Sequence, residues 1–532
     1  MANRTKKVEI YDTTLRDGAQ AEEVSFSLED KIRIALKLDE FKIDYIEGGW
    51  PGSNPKDLQF FKEIRNYNLK HAQIVAFGST HHPKKTPETD ENLKQLLLAK
   101  TPAVTIFGKT WIVHVKEALK IDPKTNLEII SNSVKFLKAN VKKVFYDAEH
   151  FFDGFKEDPD YAIETIKRAK SAGADCIILC DTNGGTLPFE LIQIIKEVKK
   201  RMGKNFKFGI HAHNDSECAV VNSLEAVRLG AVQVQGTING IGERCGNANL
   251  CSIIPNLVLK MDYNCSCAEN LHKLTEVSKY VFEMANLPHP ARLPFVGRSA
   301  FAHKGGVHVS AVLKSPRTYE HIDPLAVGNT RRVLVSELSG KSNIIYKAKE
   351  FGIELKMDSP LLNKIVEEIK NLEAEGYEFE AAEASLELLI YKLMGEPKQY
   401  FELLSYKVFD LKIDQNFPKS EATVLVRVPP GVGEVEHTAA LGNGPVNALD
   451  NALRKALERF YPQIKEMELE DYKVRVLPGL PGTASKVRVL IISKSKDRKW
   501  GTVGVSTDIL EASCQALIDS YTYKLFLDKR GS

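Results

Sequence analysis

A chain of 532 residues, 43% hydrophobic and 27% charged, has ordinary globular composition and room for two to four domains. Lysine plus arginine (73) nearly balance aspartate plus glutamate (70), so the basic field that nucleic-acid binding needs is missing, and no apolar run is long enough to span a bilayer. The eight cysteines are scattered without the paired spacing of a structural zinc site and read as reduced thiols of a cytoplasmic protein; Met1 to Lys7 runs straight into a strand, with no secretory apolar region.

Strand and helix signals then alternate. Val8–Tyr11 reads as a strand and ends in Asp12-Thr13-Thr14-Leu15-Arg16-Asp17-Gly18. Ser27, with Asp30 three residues on, caps a helix that carries Leu28, Ile32, Ala35 and Leu36 on one face. Tyr45–Glu47 is the second strand, closed by Gly48-Gly49-Trp50-Pro51-Gly52, and a helix over Lys56–Tyr67 leads to a third strand, Gln73–Phe77. A helix over Asp90–Ala99, a strand Val104–Phe107, a helix near Asn126–Asn140 and a strand Lys143–Tyr146 follow. Asp158-Pro159 opens the next helix and Gly173 closes it. Strands at Cys176–Leu179, at Phe208 onward and at Val232–Gln235, with helices over Pro188–Met202 and Cys218–Leu229, make eight strand–helix units by about residue 260. The strands are mostly continuous apolar runs, as expected when both faces are covered. Count and length predict an α/β fold, a (β/α)₈ barrel rather than an open doubly wound sheet.

Such barrels carry their active site at the carboxyl ends of the strands, and polar residues collect there: Arg16, Asp17, Glu47, Glu149, Asp181, Thr182, His211, His213 and Asn239. In Phe208-Gly209-Ile210-His211-Ala212-His213-Asn214-Asp215 the two histidines sit at i and i+2, on one face of a strand. Two imidazoles and a carboxylate form a recurrent divalent-metal site. A pair of surface loop histidines is the competing reading. Barrel closure sets the eighth strand between the seventh and the first, so Asp17, both histidines and a residue after the eighth strand can converge. The spacing Gly240-x-Gly242-x-x-x-Gly246 is not the dinucleotide fingerprint.

Leu15-Arg16-Asp17-Gly18-Ala19-Gln20, with Lys31 eleven residues beyond, resembles the first signature of the α-isopropylmalate/homocitrate/citramalate synthase family. His211-Ala212-His213-Asn214-Asp215 resembles its second, with Glu217 where that signature usually has glycine, and Gly240 to Asn247 resembles its glycine-rich segment. Glu47 to Asp57 and Phe145 to Asp153 are similar to the long-type citramalate branch. The resemblance implies a Claisen-type condensation of acetyl-CoA with a 2-oxoacid, pyruvate in this branch, followed by thioester hydrolysis in isoleucine biosynthesis. It implies a divalent metal (Mn²⁺, Mg²⁺ or Zn²⁺) on Asp17, His211 and His213, with Asn247 as a plausible fourth ligand. Arg16 would stabilise negative charge on substrate oxygen. Glu149 is the candidate acid/base, with Asp147 on the same face as its rival, and Glu47 and Thr182 are candidate substrate contacts. Gly240, Gly242 and Gly246 would let acetyl-CoA and the metal approach the backbone.

Leu287-Pro288-His289-Pro290 and Leu293-Pro294 mark a boundary. The expected division is a catalytic barrel over 1–275, linker subdomains over 276–400 that reach a partner subunit, and a C-terminal allosteric or dimerisation domain over 401–532. By the same resemblance His308 and Tyr319 enter the neighbouring subunit's site and orient the hydrolytic water, which implies a domain-exchanged homodimer, and the C-terminal domain would bind isoleucine. In that domain Val424, Val426 and Val428 alternate on a strand, a helix carries Leu449, Leu453 and Phe460, and strands near Tyr472–Leu477, Lys486–Ile492 and Trp500–Val505 precede a helix capped by Ser506-Thr507-Asp508. The alternatives are an isopropylmalate synthase using 2-oxoisovalerate, a metal-dependent lyase of the same superfamily, and a non-catalytic amino-acid sensor.

Overall fold

The computed structural model describes residues 6–203, 205–336, 339–411, 419–477, 485–496 and 498–531. Eight parallel strands close into a barrel in chain order: β1 (Glu9–Asp12), β2 (Tyr45–Gly49), β3 (Gln73–Ser79), β4 (Ala103–Lys109), β5 (Lys143–Glu149), β6 (Cys176–Asp181), β7 (Phe208–Ala212) and β8 (Gln233–Gly236). Closure is direct, since Gln233 of β8 pairs with Glu9 on one side and with Gly209 on the other. The expected barrel is therefore the fold, with strand eight between strands seven and one.

Local sequence explains where the helices begin. Ser27 accepts from the Asp30 N–H and Asp30 from the Ser27 N–H, a reciprocal cap for Leu28–Phe41. Pro55, Pro123, Pro159 and Pro188 occupy first-turn positions, where a missing N–H is harmless. Inside the barrel, Tyr11, Tyr45 and Phe145 pack edge-on or tilted against one another, with Val75, Ala103 and Ile178 around them. These side chains fill the lower barrel, so it is a packed core rather than a pore. A second apolar layer, including Ile10, Leu38, Ile46, Val104, Ile177 and Ile210, joins the outer strand faces to the helices.

One element departs from the sequence reading. A short helix, Phe151–Glu157, precedes Pro159–Ser171. His150 turns the chain with φ 52°, and Phe151, Phe152 and Phe155 are buried. Three apolar side chains within five residues override the weak helical signal of so short a segment.

The chain forms two compact units, residues 1–301 with 322–331, and residues 302–321 with 332–532. The second unit contains helices Gly306–Lys314, Lys341–Glu350, Pro360–Glu375 and Glu383–Leu393. Two antiparallel three-stranded sheets follow, each with a helix after it. The first joins Glu402–Leu411, Lys419–Val428 and Glu434–Gly442 ahead of Pro445–Glu458. The second joins Met467–Val476, Val487–Ser495 and Arg498–Ser506 ahead of Ile509–Gly531. This duplication was not legible in the sequence. Glu434–Gly442 has little apolar alternation, and Thr438 is its one buried residue. The strand Glu402–Leu411 carries a bulge between Leu403 and Ser405, which breaks the period of two. All eight cysteines are free, and no helix among the described residues is long and apolar enough to cross a membrane.

Candidate metal centre and active-site cavity

Asp17 follows β1 by one turn, His211 lies in β7 and His213 one residue past its end. The strand period of two aims both imidazoles at the same place. Asp17 Oδ2 lies 3.4 Å from His211 Nε2 and 3.7 Å from His213 Nε2. All three residues are buried, and their donor atoms lie within 4.8 Å of one another. The rings stand 5.2 Å apart at 63°. The surface-loop reading of this pair is excluded.

The charge states suit a cation. Burial pushes His211 down to about 3, with His213 adding to the effect, and burial also lowers His213. Both imidazoles are therefore neutral at physiological pH, the form that ligates. Burial alone would raise Asp17, but the Arg16 guanidinium beside it holds it below the usual carboxylate range. Gln235, from the end of β8, contacts His211 Nδ1 through Oε1 at 3.1 Å, which turns Nε2 toward Asp17. His213 Nδ1 and both polar atoms of the Asn247 amide are buried without a hydrogen bond of good geometry. Asn247 nevertheless lies close enough to Asp17 to help hold its charge. Such buried orphans beside a carboxylate fit a divalent cation.

Asn247 is held there by the glycine-rich turn. A Cβ on Gly242 would stand 2.3 Å from Asn247 Nδ2, and one on Gly246, at φ 91°, would stand 2.0 Å from the Gly240 carbonyl oxygen. These glycines make room for the Asn247 amide and for the turn itself. None of Gly240, Gly242 and Gly246 lines the cavity; Glu243 and Arg244 of the same turn do. Glu217 has φ 57° and is exposed, which explains why glycine is usual there and why glutamate leaves the histidines undisturbed.

Above the metal site lies a cavity of about 230 Å³. Arg16, Asp17, Asp147, Glu149, Thr182, His211 and His213 all line it. Glu47 does not. Its buried carboxylate accepts from the Thr13 hydroxyl at 2.7 Å, from the Tyr11 hydroxyl and from Arg16 Nε. It fixes Arg16 rather than facing ligand, and Arg16 also stands 3.9 Å over the Phe77 ring. Burial and the neighbouring Glu47 push the Asp147 carboxyl well above the usual carboxylate range. Glu149 is ion-paired with Lys109. Thr182 Oγ1 accepts the His150 N–H at 2.9 Å, which leaves its own hydroxyl proton for another partner.

Trp50, Phe77 and Phe107 form one wall of the cavity, with ring centroids 5.5 to 5.8 Å apart. The two phenylalanines gave no sequence signal, because an apolar residue at a strand end resembles any other. Gln235 did leave one: Gln233 and Gln235 alternate in a strand otherwise apolar. His308 and Tyr319 belong to the second unit, where their rings stack at 4.1 Å.

Residues 7–281 match the family described as HMGL-like, residues 295–377 that of the homocitrate synthase post-HMGL domain, and residues 380–525 the LeuA allosteric (dimerisation) domain. An (R)-citramalate synthase of Geobacter sulfurreducens is 60% identical over 519 residues, 97% of this chain and 97% of that protein. One of Aquifex aeolicus is 58% identical over 98% of this chain and 99% of that protein. A 2-isopropylmalate synthase of Methanocaldococcus jannaschii is 32% identical over 97% of this chain and 94% of that protein.

Proposed function

The chain belongs to the (R)-citramalate synthase family, and from that premise we propose that it condenses acetyl-CoA with pyruvate at the barrel mouth and hydrolyses the product thioester to citramalate and CoA. The observation that carries the site assignment is the buried Asp17–His211–His213 cluster beneath a cavity edged by Arg16, Asp147 and Glu149. Asp17, His211 and His213 hold a divalent cation, with the Asn247 amide oxygen as a fourth donor. That cation supplies Lewis acidity toward the 2-oxoacid when bound.

The chain's own groups do the rest. Arg16, fixed by Glu47, holds the negative charge that grows on the ketone oxygen as the new C–C bond forms. Asp147, whose carboxyl burial pushes toward its protonated form, donates a proton or hydrogen bond to that oxygen. Glu149 takes the proton from the acetyl methyl, with Lys109 against it. The Thr182 hydroxyl donates to the pyruvate carboxylate. Trp50, Phe77 and Phe107 close off the space beyond the pyruvate methyl, which favours pyruvate over 2-oxoisovalerate. One methylene is worth about 10–200-fold in such a pocket.

In this reading the division of the chain is a catalytic barrel over 1–275, linker subdomains over 276–400, and a dimerisation and effector domain over 401–532. His308 and Tyr319 act in the site of the second subunit of a homodimer, and isoleucine is the effector. The match to the LeuA allosteric (dimerisation) domain supports a dimer and an effector site. The test is CoA release from acetyl-CoA with pyruvate, 2-oxoisovalerate or 2-oxoglutarate, with Mn²⁺ or Mg²⁺ and with a chelator. Preference for pyruvate, abolished by chelation, is the expected result. Preference for 2-oxoisovalerate would overturn the substrate assignment, and no release with any of the three would overturn the condensation.

A further inference from the structure

Trp50 lies between two cavities. On one side is the active-site cavity. On the other is a lateral cavity of about 220 Å³, and Arg16, Gln20 and Trp50 line both. Leu15, Ala19, Val24 and Phe26 supply its apolar lining, beside polar and charged side chains that include the Lys31–Asp57 ion pair. The apolar part of this lining can take an alkyl chain.

Trp50 is pinned from three directions. Its ring meets Phe77 and Phe107 edge-on, at 86° and 83°. Its indole N–H donates to Asn92 Oδ1 at 2.7 Å. Its backbone N–H donates to Asp57 Oδ2 at 2.9 Å. Asp57 is in turn ion-paired with the buried Lys31, which also donates to the Gly48 carbonyl at 3.1 Å. Gly49, at φ 144°, has no room for a Cβ, which would stand 2.4 Å from the Asp57 carboxylate. The turn Gly48-Gly49-Trp50 is thus locked onto Asp57, and the indole onto Asn92.

We propose that Trp50 is the residue that limits the 2-oxoacid side chain to a methyl group, by partitioning the substrate cavity from this lateral cavity. Truncating it joins the two spaces and admits a longer straight alkyl chain. Lys31 and Asp57 are positioning residues for this partition. The proposal rests on the citramalate synthase reading, and pyruvate turnover by the unaltered enzyme is the control that separates failure of one from failure of the other.

The experiment compares kcat/KM for pyruvate, 2-oxobutyrate and 2-oxovalerate in the full-length wild-type, Trp50→Phe and Trp50→Ala enzymes, loaded with Mn²⁺. In Trp50→Ala the ratio of 2-oxovalerate to pyruvate should rise by about 10-fold or more, the lower end of what one methylene is worth. Trp50→Phe, which keeps an apolar wall but loses the Asn92 bond, should fall between the two. The KM for acetyl-CoA should not change. Asn92→Leu frees the indole without removing it and should move the ratio in the same direction by less, which keeps the test available if Trp50→Ala misfolds. An unchanged ratio in folded Trp50→Ala would overturn the proposal. So would a raised acetyl-CoA KM with the same 2-oxoacid order, because the lateral cavity would then serve acetyl-CoA.

Discussion

The barrel mouth and the C-terminal pair of sheets both bury polar side chains, yet they do so in opposite ways. At the mouth, groups are brought close and left unsatisfied: His213 Nδ1 and both polar atoms of Asn247 have no good hydrogen bond, and burial beside Glu47 pushes the Asp147 carboxyl well above its usual range. In the C-terminal domain the buried hydroxyls answer one another. Ser493 meets Ser520 at 2.7 Å, the Trp500 indole N–H donates to Ser520 at 3.0 Å, and Thr502 donates to the Ala516 carbonyl at 2.8 Å. Unpaired polar burial is unfavourable, so the mouth gives up stability for chemistry while the sheets use polarity to fix a fold.

The difference is sharpest at Asp17. Asp17→Ala should abolish metal-dependent turnover, by more than the roughly 100-fold that an outer-shell change brings. The melting temperature measured without metal should fall only modestly, since Asp17 is held below its usual range by Arg16 and most of its burial serves the metal. A large loss of stability in the metal-free melt would break the contrast, because Asp17 would then be part of the scaffold.

Glu47 tests the boundary between the two behaviours. It is fully satisfied, like the polar groups of the sheets, but its partner Arg16 faces substrate. Glu47→Gln should lower kcat by about 10–100-fold and destabilise by about 1–3 kcal/mol, read from steady-state kinetics and urea melts of the same sample. A change in KM for pyruvate with kcat intact would instead make Glu47 a direct substrate contact.

The smallest effect is expected at Asp519, in the C-terminal helix. Burial pushes its carboxyl up to about 6, although the Ser385 hydroxyl donates to it at 2.6 Å. Its folded pKa is above the unfolded value, so its contribution is fully present below about pH 4 and is lost as pH rises toward 6. Asp519→Asn stays neutral throughout. It should therefore gain about 1–3 kcal/mol at pH 8, nothing near pH 3.5, and leave kcat unaltered. An equal gain at both pH values would mean the effect is not the carboxylate's charge.

How much of this the sequence carried follows from what each signal depends on. The barrel was legible because most strands are continuous apolar runs bounded by turn residues, and closure then dictated that Asp17, His211 and His213 meet. The paired sheets were only half legible. Strands such as Glu434–Gly442 show a mostly polar face and take their shape from their neighbours rather than from their own pattern. At the site, Glu47 was read as a substrate contact, and its part in holding Arg16 was not legible, because a strand-end carboxylate gives no hint of which way it is satisfied. The three glycines after β8 show the same limit. The pattern marks close approach, and only the fold reveals that for Gly242 the approaching group is the side chain of Asn247.

The most direct measurement of the metal assignment is a count of histidine nitrogens on bound Mn²⁺ by pulsed electron paramagnetic resonance of the full-length protein. Two imidazole couplings are predicted in the wild type, one in His211→Ala and one in His213→Ala, with a single Mn²⁺ per chain. A wild-type spectrum showing Mn²⁺ bound without nitrogen couplings, or couplings that persist unchanged in both variants, would contradict it.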